Sequence, residues 1–294
     1  MGVGSVFISG ASGFVGRAVV AALPPEVAVH GLSRRPQSAG RVTWSLGALG
    51  APDTYRATLE RCDAVIHAAA LTGKAADAAF VETNVRGTEA LVTAAERAQV
   101  RRFLCVSSIA VRFKAVSDYP YARSKRAAEA VVRSSTLDWT ILRPTIVLGP
   151  RSPAGRQLRA LADLPWSPLP GTGAARVQPV MDADVAEILV AALSDATTTR
   201  ATLEVGGPEV LSIAELLGRL RERLGRTRDR LVRLPLGPIL TALRWTSRLT
   251  SRLPGPGPLT GFREDSTAED SAFVTALRPR FRGVEAMLME VARG

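Results

Sequence analysis

The sequence predicts an α/β fold: a doubly wound parallel sheet, with a smaller, mostly helical C-terminal region. Three observations predict it. Continuous apolar runs of strand character alternate with helix-period segments through the first half of the chain. The first run, "VGSVFI", hands over to a helix through "SGASGFVG", where Gly10, Gly13 and Gly16 are each separated by two residues. Beyond residue 150 the alternation gives way to a stretch rich in proline and glycine, "RSPAGRQLRALADLPWSPLPGTG".

The elements follow in order. "VGSVFI" reads as a buried strand and "FVGRAVVAAL" as a helix stopped by Pro24 and Pro25. "EVAVHGLS" is a second strand, "RVTW" a short third, and "DTYRATLERC" a short helix. "DAVIHAAA" is a fourth strand, and "AAFVETNVRGTEALVTAAERAQV" a long helix with apolar positions at helical spacing. "RRFLCVSS" is a fifth strand, "YARSKRAAEAVVRSS" a helix, and "DWTILRPTIVLGP" a sixth strand leaving into a loop. The Pro/Gly-rich excursion holds one short helix. "DADVAEILVAALSD" is a helix with Asp182 or Asp184 near its N-cap, and "ATLEVGG" a strand. "SIAELLGRLRERLG" opens on a capping box, Ser212 with Glu215. The remainder reads as two or three helices around "LPGPGPLTG". The expected division is a dinucleotide-binding domain at 1–150, to which 176–206 returns. Residues 151–175 and 207–294 are expected to form a substrate-binding C-terminal region.

Composition is that of a soluble globular protein, 46% hydrophobic and 22% charged over 294 residues. No run approaches the roughly 18 uncharged apolar residues a membrane span needs, and no signal-peptide pattern opens the chain. Cys62 and Cys105 lie in or beside core strands, which suggests reduced thiols and a cytoplasmic protein. His30 and His67 have no metal-ligand spacing, so no metal site is expected. The net charge of +11 is concentrated: ten arginines stand between Arg219 and Arg252 against two acids, Glu222 and Asp229.

The glycines mark a place where backbone must come close to something. Gly10 permits the turn, Gly13 admits a pyrophosphate, and Gly16 lets the helix pack on the strand. Ser12, Phe14 and Val15 surround the same helix N-terminus, whose N–H groups and positive dipole end suit phosphate. At the end of the second strand stand Ser33, Arg34 and Arg35 rather than an acid. Guanidinium groups there bond a 2′-phosphate that a carboxylate would repel, so NADP is favoured over NAD. Tyr121 and Lys125 are four apart, on one helical face. A free tyrosine, with a pKa near ~10, exchanges protons poorly at neutral pH, and a neighbouring ammonium favours its phenolate. Ser108, at the end of the fifth strand, can hydrogen-bond the same substrate oxygen.

These residues resemble the extended or atypical short-chain dehydrogenase/reductase superfamily, of epimerase/dehydratase-like type and Rossmann fold, along the whole chain. The matching pieces are "SGASGFVG", "DAVIHAAA", "NVRGTEALVTAAERAQVRRFLCVSS", "YARSK", "ILRPTIVLGP", "QPVMDADVA" and "LEVGGPEVLSIAELL". The last two resemble in particular the branch of the NADPH-binding accessory subunit of respiratory complex I and its bacterial relatives. The resemblance implies that Tyr121 is the general acid/base, that Lys125 binds the nicotinamide ribose, and that Ser108 orients the substrate oxygen. It implies that Asn84 shapes the site, that Ala68, Ala69, Ala70 and Ser107 lie along the cofactor, and that Pro144, Thr145, Ile146 and Val147 lie near the carboxamide. Two departures narrow the chemistry. Ile109 and Ala110 follow Ser108 where sugar-nucleotide dehydratases carry an acidic pair. Arg176 stands one position early, with Val177 in the register where epimerases hold a diphosphate with arginine.

The expected function is an NADP(H)-dependent oxidoreductase acting on a carbonyl or alcohol. The alternatives are a non-catalytic NADP(H)-binding regulatory or assembly protein and a nucleotide-sugar epimerase-like enzyme. The expected partner is a small-molecule substrate, and no nucleic acid is expected. A homodimer through 81–98 and 121–135 would use Ala90, Leu91, Ala94, Ala95, Ala98, Ala127, Ala128, Val131 and Val132. Segment 235–253, with Arg244, Arg248 and Arg252 on one helical face, reads as a lid over the substrate pocket or as a peripheral membrane contact. Nucleic-acid binding by it is the weaker option, since it holds one aromatic, Trp245.

Overall fold

The computed structural model describes residues 2–293 apart from 39, 229, 236, 238–263 and 270. Strands β1 (Ser5–Ser9), β2 (Ala28–Ser33), β3 (Val42–Leu46), β4 (Ala64–His67), β5 (Arg102–Val106), β6 (Asp138–Pro144) and β11 (Ala201–Val205) form one seven-stranded sheet. Their order is β3-β2-β1-β4-β5-β6-β11, and the register pairs Ser9 with both Leu32 and His67 in parallel ladders. From β1 the chain moves outward to β2 and β3, then returns to β4 on the other side. The carboxyl ends of β1 and β4 are therefore the switch point at which such sheets bind ligands.

The chain divides into two compact units: Met1–Ser108, Arg123–Arg143 and Asp182–Leu203 in the first, and Ile109–Ala122, Pro144–Met181 and Glu204–Gly294 in the second. Relative to the division expected from sequence, 109–122, 144–150, 176–181 and 204–206 fall in the second unit.

In the first unit, β4 is buried at every position, as a parallel strand covered on both faces must be. Helix α1 (Phe14–Ala22) ends where Leu23 turns extended ahead of Pro24 and Pro25. It packs on α7 (Asp182–Ser194). The predicted helix at 53–62 resolves into a 3-10 turn, Pro52–Thr54, and a short α2 (Arg56–Leu59). The long predicted helix is continuous from α3 (Asp77–Phe80) through a π-helical segment, Val81–Arg86, into α4 (Gly87–Arg97). Helix α5 spans Pro120–Ser134. The core beneath α4 and α5 gathers Phe7, Val65, Leu91, Ala94, Ala95, Phe103, Val132 and Ile141. Leu91, Ala94, Ala95, Ala128 and Val132, expected at a dimer bundle, are thus buried inside the monomer, and Ala127 is exposed.

The second unit is less purely helical than expected. Three two-stranded ladders pair β7 (Val147–Leu148) with β10 (Val180–Met181), β8 (Ser167–Pro170) with β13 (Leu231–Leu234), and β9 (Arg176–Val177) with β12 (Leu211–Ser212). Helices α6 (Pro153–Ala162), α8 (Ile213–Arg223) and α10 (Val284–Arg293) pack together, and α9 spans Ala272–Leu277. The capping box forms: Ser212 Oγ accepts from Glu215 N–H, and Glu215 accepts from Ser212 N–H. Most of segment 235–253 and the linker "LPGPGPLTG" lie outside the described residues.

Candidate cofactor and active site

The three glycines have separate physical reasons. Gly10 has φ +80°, and a Cβ there would lie 2.7 Å from Ala69 N, so the turn packs against the backbone leaving β4. A Cβ on Gly16 would lie 2.0 Å from the Gly10 carbonyl oxygen, so α1 sits directly on the turn. Gly13 is different: exposed, its added Cβ would meet within 4 Å only the Gly10 oxygen, at 3.0 Å. It is also the N-cap of α1 and offers no side chain to the first-turn N–H groups. Ser12, Phe14 and Val15 stand half-buried around it. An uncapped helix N-terminus beside a position kept clear of Cβ fits a pyrophosphate.

The backbone following β4 is pinned by a buried polar chain. Ser9 Oγ lies 2.6 Å from His67 Nδ1, and His67 Nε2 lies 2.8 Å from Thr88 Oγ1. Thr88 donates its own proton to the Asn84 carbonyl at 2.6 Å, so it accepts from Nε2–H, and Nδ1 accepts from Ser9. The ring is therefore assigned neutral. Burial, with the nearby Lys125 charge, pushes its pKa down to about 3. Ser9 Oγ also accepts from Ala69 N–H at 3.4 Å. Asn84, in the π segment, accepts from Leu71 N–H at 2.7 Å and donates to Leu71 O at 3.1 Å and Ser124 Oγ at 2.9 Å. Ala68, Ala69 and Ala70 are thus half-buried between two anchored ends. Asn84 was expected at the site; Ser9, His67, Thr88 and Ser124 were not. A histidine in a fully buried strand must find partners, and that was the signal in the sequence.

Lys125 is 2% exposed, and its Nζ donates to the Val106 carbonyl at 2.7 Å. An ammonium has three donors, and this bond uses one. Four residues on, Glu129 is buried and accepts from Arg143 at 2.9 and 2.7 Å and from Ser107 Oγ at 2.6 Å. Burial alone would raise its pKa. The hydrogen bonds from Arg143 and Ser107, with the charges of Arg143 and Arg133, outweigh burial and hold it below the usual carboxylate range. Ser107, expected along the cofactor, therefore spends its hydroxyl inside the first unit. Ser108, the next residue, is half-buried beyond the end of β5. Tyr121 lies in the first turn of α5, one turn before Lys125, and its ring packs on Tyr119 with centroids 5.6 Å apart.

The remaining expected residues divide similarly. Ser33 Oγ donates to Arg35 O at 2.7 Å and accepts from Gln37 Nε2 at 3.1 Å, so this hydroxyl shapes the loop. Arg34 and Arg35 are exposed and have no carboxylate partner among the described residues. Thr145 donates its hydroxyl to Gln178 O and its N–H to Val205 O, and Ile146 O accepts from Val180 N–H. Pro144 is buried and Val147 half-buried. Arg176 is exposed while Val177 is buried, so the two point to opposite faces of β9. Among the described residues no group of three His, Cys, Asp or Glu could hold a metal ion, and no helix is long and apolar enough to cross a membrane.

Residues 10–196 match the family described as NAD(P)H-binding. The (4-alkanoyl-5-oxo-2,5-dihydrofuran-3-yl)methyl phosphate reductase of Streptomyces griseus is 30% identical over 219 residues, 71% of this chain and 70% of that protein. The ceramide reductase of Caulobacter vibrioides is 36% identical over 153 residues, 50% of this chain and 47% of its own. NADH dehydrogenase [ubiquinone] 1 alpha subcomplex subunit 9 of Arabidopsis thaliana is 30% identical over 233 residues, 71% of this chain and 55% of its own. The chain spans about half the length of these last two relatives. A short-chain dehydrogenase/reductase superfamily protein from Agrobacterium tumefaciens, solved with bound NAD, superposes with a TM-score of 0.73. It has 22% identity, covering 98% of this chain and 96% of that one. The chain belongs to the NAD(P)H-binding family, has the fold of the extended short-chain dehydrogenases/reductases, and takes an NAD(P) cofactor.

Proposed function

We propose that this protein is an NADP(H)-dependent reductase of a carbonyl group on a lipophilic substrate. The observation that carries the chemistry is Lys125: a buried ammonium fixed to the Val106 carbonyl, one helical turn after a half-buried tyrosine. When bound, the cofactor supplies hydride. The turn at Gly10–Gly16 would hold its pyrophosphate, and Arg34 and Arg35 its 2′-phosphate. Tyr121 donates its phenolic proton to the carbonyl oxygen, which becomes the alcohol. Ser108 orients that oxygen through a hydrogen bond, and the Lys125 ammonium favours the phenolate left behind. The lipophilic character rests on two relatives, whose names give a ceramide and an alkanoyl-substituted ring as what they reduce.

The test is NADPH consumption with a panel of long-chain ketones and acyl-substituted lactones, beside short-chain equivalents. Oxidation faster with the long-chain members, and lost in Tyr121→Phe, is the expected result. Turnover of short-chain carbonyls alone would refute the substrate class. Similarity to a subunit of NADH dehydrogenase favours one second reading, a protein that binds NADP(H) without turning over. Tight NADPH binding with no oxidation across the panel would select it.

A further inference from the structure

Among the described residues, seven large hydrophobic side chains are exposed, and three of them lie together in the second unit: Leu164, Trp166 and Val232. The register of β8 and β13 explains why. Val232 pairs with Pro168, and Leu231 with Ser167, so Arg230 stands beside Trp166. Alternation then puts Trp166, Pro168, Arg230 and Val232 on one face, while Ser167 and Leu169 are buried on the other. Trp166 is 60% exposed, with the Arg230 guanidinium 5.1 Å from its ring centre. The loop carrying Leu164 and Trp166 is held from below. Arg221, 1% exposed, donates to the carbonyls of Ala162 (3.0 Å), Leu164 (2.8 Å), Pro165 (3.3 Å) and Thr227 (2.8 Å) and to Ser167 Oγ. A buried cation bonded to carbonyls and a hydroxyl fixes an apolar tip in solvent, where burial would otherwise draw it inward.

The charge around that tip is basic. Arg226, Arg228, Arg230 and Arg233 are all exposed. The nearby acids are Asp163, paired with Arg226 at 2.9 Å, and Glu222, 3.7 Å from Arg228. Arg230 and Arg233 have no carboxylate partner among the described residues. We propose that this face of the β8–β13 ladder docks on an anionic lipid bilayer, with Trp166 and Leu164 entering the headgroup layer and Arg230 meeting lipid phosphates. An amphipathic indole suits the interface between headgroup and acyl chain, and exposed arginine is attracted to an anionic leaflet. This docking is independent of the catalytic assignment.

Vesicle flotation of the full chain tests it, with phosphatidylcholine alone and with phosphatidylcholine containing phosphatidylglycerol. Binding is expected only to the anionic vesicles, weakening as salt rises. Trp166→Ser should reduce partitioning about ten-fold, and Arg230→Gln about five-fold. Unchanged thermal melts and NADPH binding in these variants show that the fold and cofactor site are intact. Tryptophan emission should shift to the blue on vesicle addition in the parent and not in Trp166→Phe. No partition into anionic vesicles at low salt overturns the proposal. So does partition that Trp166→Ser and Arg230→Gln leave unchanged, or capture of duplex DNA in place of vesicles.

Discussion

Replacing Gly13 by alanine should weaken cofactor binding while sparing the fold. A Cβ at this position meets within 4 Å only one protein atom, the Gly10 oxygen at 3.0 Å, which a shift of a few tenths of an ångström relieves. Alanine is also a poorer N-cap than glycine, so the expected loss of stability is about 1 kcal/mol. For a chain of this size that lowers Tm by about 2–4 °C. The methyl group would stand where a pyrophosphate must approach the first-turn N–H groups. Losing one charge-assisted hydrogen bond of ~1.5–3 kcal/mol weakens NADPH roughly ten- to hundred-fold. Calorimetric titration with NADPH and a thermal melt measure the two effects separately. Gly16→Ala is the contrasting case: its Cβ would sit 2.0 Å from a backbone oxygen, so it should lose the fold itself. If Gly13→Ala melts normally and binds NADPH within about three-fold of the parent, the turn is not the phosphate cradle. If it unfolds as Gly16→Ala does, Gly13 is a packing glycine.

Tyr121→Phe should retain NADPH binding and lose roughly 10²- to 10⁴-fold in turnover, as removal of a general acid does; turnover at the parent rate excludes the tyrosine mechanism. Arg34→Gln with Arg35→Gln should remove a preference for NADPH over NADH, read by calorimetry at moderate salt, and a ratio unchanged by the pair shows that the 2′-phosphate is read elsewhere. His67, its pKa lowered to about 3 in the fold, stays neutral where the unfolded chain's histidine, with a pKa near ~6.5, takes up a proton. The unfolded state then binds more protons, so stability should fall as pH drops from about 6.5 towards 3, and His67→Gln should flatten that part of the urea-derived profile; parallel profiles contradict the assignment. Light scattering at high concentration should give the monomer mass, because five of the residues expected at a dimer bundle are consumed by the monomer's core; a dimer would need the more polar outer faces of α4 and α5.

Strand and helix order was legible because burial imposes a period, and the capping box because two side chains satisfy two N–H groups within four residues. The three glycines were legible as a group, although only the backbone separates the packing glycines from the open one. What the sequence could not show is where a short hydroxyl turns. Ser33, Ser107 and Thr145 are each at an expected site, yet their hydroxyls bond Arg35 O, Glu129 and Gln178 O. Serine and threonine always have local acceptors in competition with a ligand, and residue type does not settle that competition. The small residues of α4 and α5 were ambiguous for a similar reason: alanine suits a helix–sheet contact and a helix–helix contact equally.

The π-helical segment shows how far periodicity carries and where it stops. Residues 78–100 have apolar positions at helical spacing, and nothing between Val81 and Arg86 breaks a helix by composition. A regular α-helix turns about 100° per residue, so one extra residue in a turn changes which residues face inward on either side of it. With the π turn, Phe80 before it and Thr88 and Leu91 after it are all buried, and Asn84 between them is buried as well. Asn84 then reaches Leu71 on one side and Ser124 on the other, while its carbonyl takes the proton of Thr88. A π turn is rarely stable on its own and occurs mostly at functional sites. Here four hydrogen bonds on one asparagine hold it, and through them the backbone after β4 is tied to the helix bearing Tyr121 and Lys125. The irregularity is thus the means by which a helix built for the core also serves the site.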